Sequence, residues 1–247
     1  MKIPVLEIFG PTIQGEGAVI GRKTMFVRTA GCDFSCVWCD SKFTWDGTMK
    51  DEIEMLTPET IYERLQTIAP NQFNHVTISG GNPALIKNLA GLVSLLHDNG
   101  IEVALETQGT RFQQWMTEID QLTISPKPPS STMTHDLEQL DGIIDQLDKD
   151  KVTLKVVIFN DEDYAFSKMI HKRYPHITLY LQVGNPYLDV SVENHTERLL
   201  SHYEALIDKV MPDVEMNDIC NASTSHVTLE QQKRCIIYCV LKLMKTL

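Results

Sequence analysis

The sequence predicts an α/β fold: an open, partial β/α barrel of about six parallel strands. Three observations lead there. Six short runs rich in β-branched residues are spread along the chain, helical spacing fills the intervals between them, and neither a linker nor a low-complexity block interrupts the alternation. A single domain is therefore expected. Strand–helix–strand repeats require parallel pairing, and this number of units is too small to close an eight-stranded barrel.

The first strand is TMFVRT (24–29). HVTIS (75–79), IEVALE (101–106), LTIS (122–125), VTLKVVIF (152–159) and ITLYLQV (177–183) follow, each rich in residues that suit a pleated, buried surface. The first helix is expected after Pro58, with Thr57 as its N-cap and Pro58 at the first helical position, where the N–H it lacks has no helical partner anyway. The second runs from Ile86 to Asp98 and stops at Asn99-Gly100, since Gly tolerates the left-handed backbone that ends a helix. Helical spacing recurs over Thr110–Ile119, His135–Leu147, Asp161–Tyr174 and His195–Val210. Ligands of such a sheet gather at the carboxyl ends of its strands, so the loops leaving the strands are where chemistry is expected.

Composition narrows the function classes. The 247 residues are 43% apolar, enough for a sizeable core. The longest apolar run, Cys235 to Leu241, is far short of the roughly 18 residues of a membrane span. The amino terminus MKIPVLEIFG carries no long apolar signal core, so a cytoplasmic protein without a membrane partner is expected. The formal net charge is −11, the acidic residues are dispersed, and no basic stripe is present. That pattern argues against a nucleic-acid partner and for a small molecule.

The stretch GCDFSCVWCD (31–40) places Cys32, Cys36 and Cys39 within eight residues of a chain that holds six cysteines. Cys32 follows the first strand after only Ala30 and Gly31, so the thiols lie at the strand-end edge. In a reducing compartment, cysteines this close are more often metal ligands or catalytic groups than disulfides. Structural zinc takes four protein ligands, and no His or Cys lies between Cys39 and His75; a zinc site completed by a distant His is the alternative. Three thiolates suit an iron–sulfur cubane that leaves one iron free for an exogenous ligand. ISGGNP (78–83) follows the second strand, where paired glycines either let the backbone approach a ligand or form a plain strand–helix turn. ETQGT (106–110) and TISPKPPSS (123–131) follow the third and fourth strands, and put Ser125 and Lys127 where a ribose or a carboxylate could be held.

The spacing C-x3-C-x2-C, with Trp38 just before the last cysteine, resembles the signature of the radical S-adenosylmethionine (SAM) superfamily. Within it the chain resembles the 7-carboxy-7-deazaguanine synthase family. The residues that carry this are GPTIQGEG (10–17), FVRTAGCDFSCVWCDSKFTWDG (26–47), VTISGGNPAL (76–85), ALETQGT (104–110), TISPKPPSS (123–131) and LKVVIFNDED (154–163). The resemblance implies a carbon–nitrogen lyase of queuosine and 7-deazapurine biosynthesis. Such an enzyme converts 6-carboxy-5,6,7,8-tetrahydropterin to 7-carboxy-7-deazaguanine by a radical ring contraction with loss of ammonia. It also implies a 4Fe–4S cluster on Cys32, Cys36 and Cys39, and SAM against Trp38, Gly81, Asn82, Thr107, Ser125, Pro126 and Lys127. Substrate would lie against Ile13, Gln14, Gly15, Arg28 and Ser79, and Mg²⁺ on Ser41, where Thr is commoner, with Asp40 beside it. Asn82 stands where the family's GGEP motif has Glu, so a neutral amide replaces a carboxylate. The fork of the Arg28 guanidinium can pair bidentately with the substrate carboxylate; a surface ion pair is the alternative. A homodimer and a flavodoxin- or ferredoxin-type electron donor are further implications.

The resemblance extends to about residue 218, taken as one domain over 1–218; residues 219–247 form an atypical tail. Family members continue there into a Trp-x-Asn-Lys stretch packed near the substrate. LEQQK (229–233) can be encoded TTG GAG CAA CAA AAG, which read one base later gives Trp-Ser-Asn-Lys, so a shifted frame would account for the departure. Cys220, Cys235 and Cys239 as ligands of a second cluster are the other reading of that tail. Two further functions would share the cysteine loop: an activating enzyme that places a radical on a partner protein, which needs neither TIQGEG nor Arg28, and a non-enzymatic metal-binding module.

Overall fold

The computed structural model describes residues 1–186 and 194–216. In chain order it contains β1 (Ile3–Ile13), β2 (Lys23–Thr29), β3 (Glu54–Leu56), α1 (Pro58–Ile68), β4 (His75–Gly80), α2 (Ala90–Asp98), β5 (Glu102–Thr107), β6 (Gln121–Ile124), α3 (Leu137–Ile144), β7 (Val152–Ile158), α4 (Asp161–Arg173), β8 (Leu179–Val183) and α5 (His195–Val210). The strands form one sheet in the order β3-β1-β2-β4-β5-β6-β7-β8. From β2 to β8 in that order every pairing is parallel, and these are the six strands expected from the sequence. The sheet is open, with β3 and β8 at its two edges.

Two strands go beyond that expectation, and both pair antiparallel at one edge. Pro4, Gly10 and Pro11 interrupt the pattern of β1, and its ladder with β2 slips register between Val5 and Glu7 and again between Phe9 and Thr12. β3 is only three residues long. The helix expected over Thr110–Ile119 is a correction: only a 3₁₀ stretch, Gln114–Glu118, forms there. Gln113 Nε2 donates to the Ala84 carbonyl at 2.9 Å and Trp115 Nε1 to the Ile86 carbonyl at 3.1 Å, which pins this short crossing to the loop before α2. The caps fall where expected. Thr57 accepts from the Thr60 N–H at 3.3 Å with Pro58 in the first turn, and Gly100, at φ +68°, ends α2.

Strand alternation separates two faces. Val27, Ile78, Leu105, Ile124 and Val156 lie on one face in the buried core with Ile61, Leu65, Leu92, Leu96, Leu140 and Ile170 of the helices. The same period sends Arg28, Ser79, Glu106, Lys155 and Gln182 to the opposite face. That face is the polar interior of the partial barrel. Residues beyond 216, including Cys220, Cys235, Cys239 and LEQQK, lie outside the described residues. Among the described residues no helix is long and apolar enough to cross a membrane.

His75 sits in the interior with no exposed surface, its Nδ1 2.8 Å from Thr24 Oγ1 and its Nε2 without a partner. Burial, with Arg22 adding to it, lowers its pKa from 6.5 to about 4. The unfolded chain protonates this imidazole near pH 6.5 while the folded chain holds it neutral. Stability is thus unaffected above that pH and falls as pH drops toward about 4, by up to about 3 kcal/mol at 1.36 kcal/mol per pKa unit. A His75→Leu chain is expected to lose much of this acid slope in melting temperature. An unchanged slope would assign the acid sensitivity to other groups.

Candidate functional site

The loop leaving β2 carries Cys32, Cys36 and Cys39, and all three line a cleft of about 1120 Å³ at the carboxyl ends of the parallel strands. The loop is tied down on several sides. Gly31 N–H donates to the Thr44 carbonyl (2.8 Å), Val37 N–H to Ser131 (3.2 Å), and Trp38 Nε1 to Ser130 Oγ (2.9 Å). The Asn82 N–H donates to the Gly31 carbonyl at 2.7 Å, so the Gly-Gly loop after β4 and the cysteine loop meet backbone to backbone. A Cβ on Gly81 would lie 2.2 Å from the Gly31 oxygen, so only glycine permits that approach.

The donor set suits a cluster. Among the described residues no group of three His, Cys, Asp or Glu side chains converges as it stands on a single metal ion. A cubane offers a separate iron to each thiolate, and its cysteines need not converge on one point. Three free thiols face one cleft, and the described residues supply no fourth. Burial pushes the Cys36 thiol up to about 11 and raises Cys32 as well, so a metal that binds them must displace protons.

The other half of the cleft is the polar interior face. Gln14 Nε2 donates to Glu106 Oε1 at 3.0 Å, and Gln14 Oε1 accepts from the Gly15 N–H at 2.7 Å. Glu16 accepts from Lys155 Nζ at 2.6 Å and from Gln182 Nε2 at 2.7 Å, which joins the loop after β1 to β7 and β8. Desolvation works to raise Glu16, but Lys155 and the hydrogen bonds outweigh it and leave the carboxyl below its ordinary value. Glu106 ends above its ordinary value: desolvation raises it, and Glu16 adds to the rise against the pull of Lys155. Lys155 is held charged between the two carboxylates. Arg28 Nη1 is 3.0 Å from Glu7 Oε2, and its guanidinium lies 5.3 Å from the ring centroids of both Phe9 and Phe43. It therefore makes an ion pair and also faces the cleft.

Of the residues singled out from the sequence, Gln14, Arg28, Trp38, Ser41, Ser79, Gly81, Thr107, Ser125 and Lys127 join the three cysteines on the wall of this one cleft. Lys127 Nζ donates to Ser125 Oγ at 3.1 Å, and Ser41 Oγ donates to Asp40 Oδ1 at 2.9 Å. Ile13, Gly15, Asn82 and Pro126 do not line it. Asn82 has no exposed surface: its amide donates to Asp33 Oδ1 (2.9 Å) and Thr110 Oγ1 (3.0 Å) and accepts from Thr107 Oγ1 (2.8 Å) and the Ala84 N–H (3.2 Å). It braces the cysteine loop from behind. A Glu there would set a second carboxylate against Asp33.

Comparisons with known proteins accord with this geometry. The model of the radical SAM superfamily matches residues 26–159. The 7-carboxy-7-deazaguanine synthase of Bacillus subtilis is 56% identical over 237 residues, which cover 94% of this chain and 98% of that protein. That of Bacillus cereus is 53% identical over 236 residues, with the same coverage of each, 94% and 98%. The chain belongs to the 7-carboxy-7-deazaguanine synthase family of the radical SAM superfamily. A crystal structure of QueE from Escherichia coli is 22% identical with a TM-score of 0.49, covering 73% of this chain and 94% of that one.

In this synthase-family chain the cleft also holds Glu16, Glu106, Lys155, Gln182 and Tyr203, none of them named as a candidate, although Glu16, Glu106 and Lys155 lie inside the quoted motifs. Two of them left a signal. Lys155 is the single charge in the run VTLKVVIF, and Glu106 closes IEVALE. A lone charge inside a buried strand needs a partner, and here the partner is across the cleft.

Proposed function

We propose that this chain is a carbon–nitrogen lyase that converts 6-carboxy-5,6,7,8-tetrahydropterin to 7-carboxy-7-deazaguanine with release of ammonia. The observation that carries this reading is the shared cleft, whose wall brings three thiols together with Arg28 and the Glu16, Lys155 and Glu106 array. Cys32, Cys36 and Cys39 would hold a 4Fe–4S cluster, with SAM against Trp38, Gly81, Thr107, Ser125 and Lys127, beside Pro126. Bound there, these cofactors would supply the radical chemistry that the ring contraction needs.

The chain's own residues bind and orient. Arg28 offers a guanidinium fork to the substrate carboxylate. The pyrimidine edge of a pterin carries N–H donors and a carbonyl acceptor, which Glu16 and Glu106 on one side and Gln14 and Lys155 on the other can complement. Ser79 on the cleft wall is a further proposed substrate contact, and Ile13 and Gly15, which flank Gln14 in the chain, are proposed to support it. Phe9, Phe26, Phe34, Trp38 and Phe159 wall the cleft and keep water from the reacting atoms. Ser41 and Asp40 present hard oxygens side by side, which suits a Mg²⁺ that keeps most of its waters and shares oxygens with the substrate. A one-electron donor of the flavodoxin or ferredoxin type meets the need for reduction.

The deciding assay uses the full chain, reconstituted with iron and sulfide without air, then incubated with SAM, dithionite and the carboxytetrahydropterin. Mass spectrometry is expected to detect 7-carboxy-7-deazaguanine together with ammonia. A brown protein that cleaves SAM but leaves the pterin untouched would overturn the substrate, and a colourless one the chemistry. Arg28→Ala is expected to raise KM for the pterin roughly 10- to 100-fold, the worth of a charge-assisted pair, with a smaller change in kcat. Steady-state kinetics check this, and an unchanged KM removes Arg28 from the substrate.

A further inference from the structure

We infer that Gln108 is a positioning residue of the cluster, which donates a hydrogen bond to the Cys32 ligand sulfur and thereby raises the cluster's reduction potential. The inference rests on the radical SAM reading above. Gln108 is 3% exposed at the end of β5. One of its two amide N–H groups is committed to Asp33 Oδ1 at 2.5 Å, and Nε2 also lies 3.5 Å from Cys32 Sγ. A carboxylate only accepts, so Asp33 dictates that nitrogen, not oxygen, faces the sulfur.

Asp33 is itself immobilised. Its Oδ1 also accepts from Asn82 Nδ2 at 2.9 Å, its Oδ2 accepts from Thr110 Oγ1 at 2.7 Å, and Arg111 Nε stands 3.7 Å away. From the other side, the Gln108 carbonyl is 2.7 Å from His135 Nε2, and His135 meets the Phe34 ring edge-on at 5.8 Å. The Phe34 N–H is a second donor to Cys32 Sγ, at 3.5 Å. Cys32 therefore receives a backbone and a side-chain donor from two different loops. An N–H directed at a ligand sulfur draws electron density from it and favours the reduced, more negative cluster over the oxidised one. Only one electron is gained in that step, and the external reductant supplies it. The arrangement also gives Asn82 a purpose: a neutral donor holds Asp33, which holds Gln108, which faces Cys32.

The test compares the reconstituted full-length holoprotein with its Gln108→Leu variant, both without SAM, by redox titration followed by electron paramagnetic resonance. The variant is expected to carry the native content of iron and sulfide and to have a more negative midpoint. A purely structural brace would lower iron content or melting temperature and leave the midpoint in place; a fully loaded variant with the native midpoint overturns the inference. Where the variant fails to load, the native protein decides. Grown with amide-¹⁵N glutamine, its reduced cluster is expected to show a nitrogen coupling that responds to the label, and the absence of that coupling overturns the inference. A native chain that loads no cluster at all would instead overturn the radical SAM reading.

Discussion

Cys32→Ala chains are expected to carry no stoichiometric iron or sulfide after reconstitution and to convert no pterin. The cleft presents three thiols, and removing one leaves two, too few to retain a cubane whose fourth iron has no protein ligand among the described residues. The loss is all-or-none because the chain's side chains only position and bind, while the difficult chemistry belongs to the cofactor. The apo fold should survive, since Cys32 is half-buried on a loop and lies outside the apolar core. Iron and sulfide analysis with circular dichroism checks both halves. A Cys32→Ala chain that still binds iron stoichiometrically would move the cluster to other cysteines.

Gly81→Ala is expected to be nearly as severe, for a reason of space. The added Cβ would meet the Gly31 oxygen at 2.2 Å, the Gly31 carbonyl carbon at 2.6 Å and Cys32 Cβ at 3.0 Å. The first two belong to backbone that the Asn82 N–H already binds, so no side-chain rotation relieves the clash. One of the two loops must move, and either movement displaces Cys32 from the other cysteines. A destabilisation of ~3 kcal/mol is expected, in the range reserved for overpacking and strained backbone. For a chain of this size that lowers the melting temperature by roughly 6–12 °C. Thermal unfolding of the apoprotein reads the strain, and iron content reads the lost geometry; a native iron content would show that the loops can separate freely.

The parallel sheet was legible because buried parallel strands read as near-continuous β-branched runs and because helix ends announce themselves: Thr57-Pro58 and Asn99-Gly100 mark real termini. The cysteine loop was legible because its spacing is local. β1 was not, since Pro4 and the Gly10-Pro11 step break its pattern and only pairing with β2, through two register slips, makes it a strand. The charged wall of the cleft was hidden for a related reason. Glu16 meets Lys155 across 139 positions and Gln182 across 166, and no short motif can express such a pairing. The motif places Asn82 beside the cysteines, but its partners Asp33, Thr107 and Thr110 come from three other positions along the chain, so its hydrogen bonding could not be read locally.

The two phenyl rings that flank Arg28 have a thermodynamic consequence. Between Phe9 and Phe43, with Glu7 at its tip, the guanidinium is already confined to one orientation before a ligand arrives. An unrestrained arginine would surrender about 0.5–1.5 kcal/mol of rotamer freedom on association. Here that entropy is given up when the chain folds, so any anion that pairs with Arg28 would meet a rigid receptor.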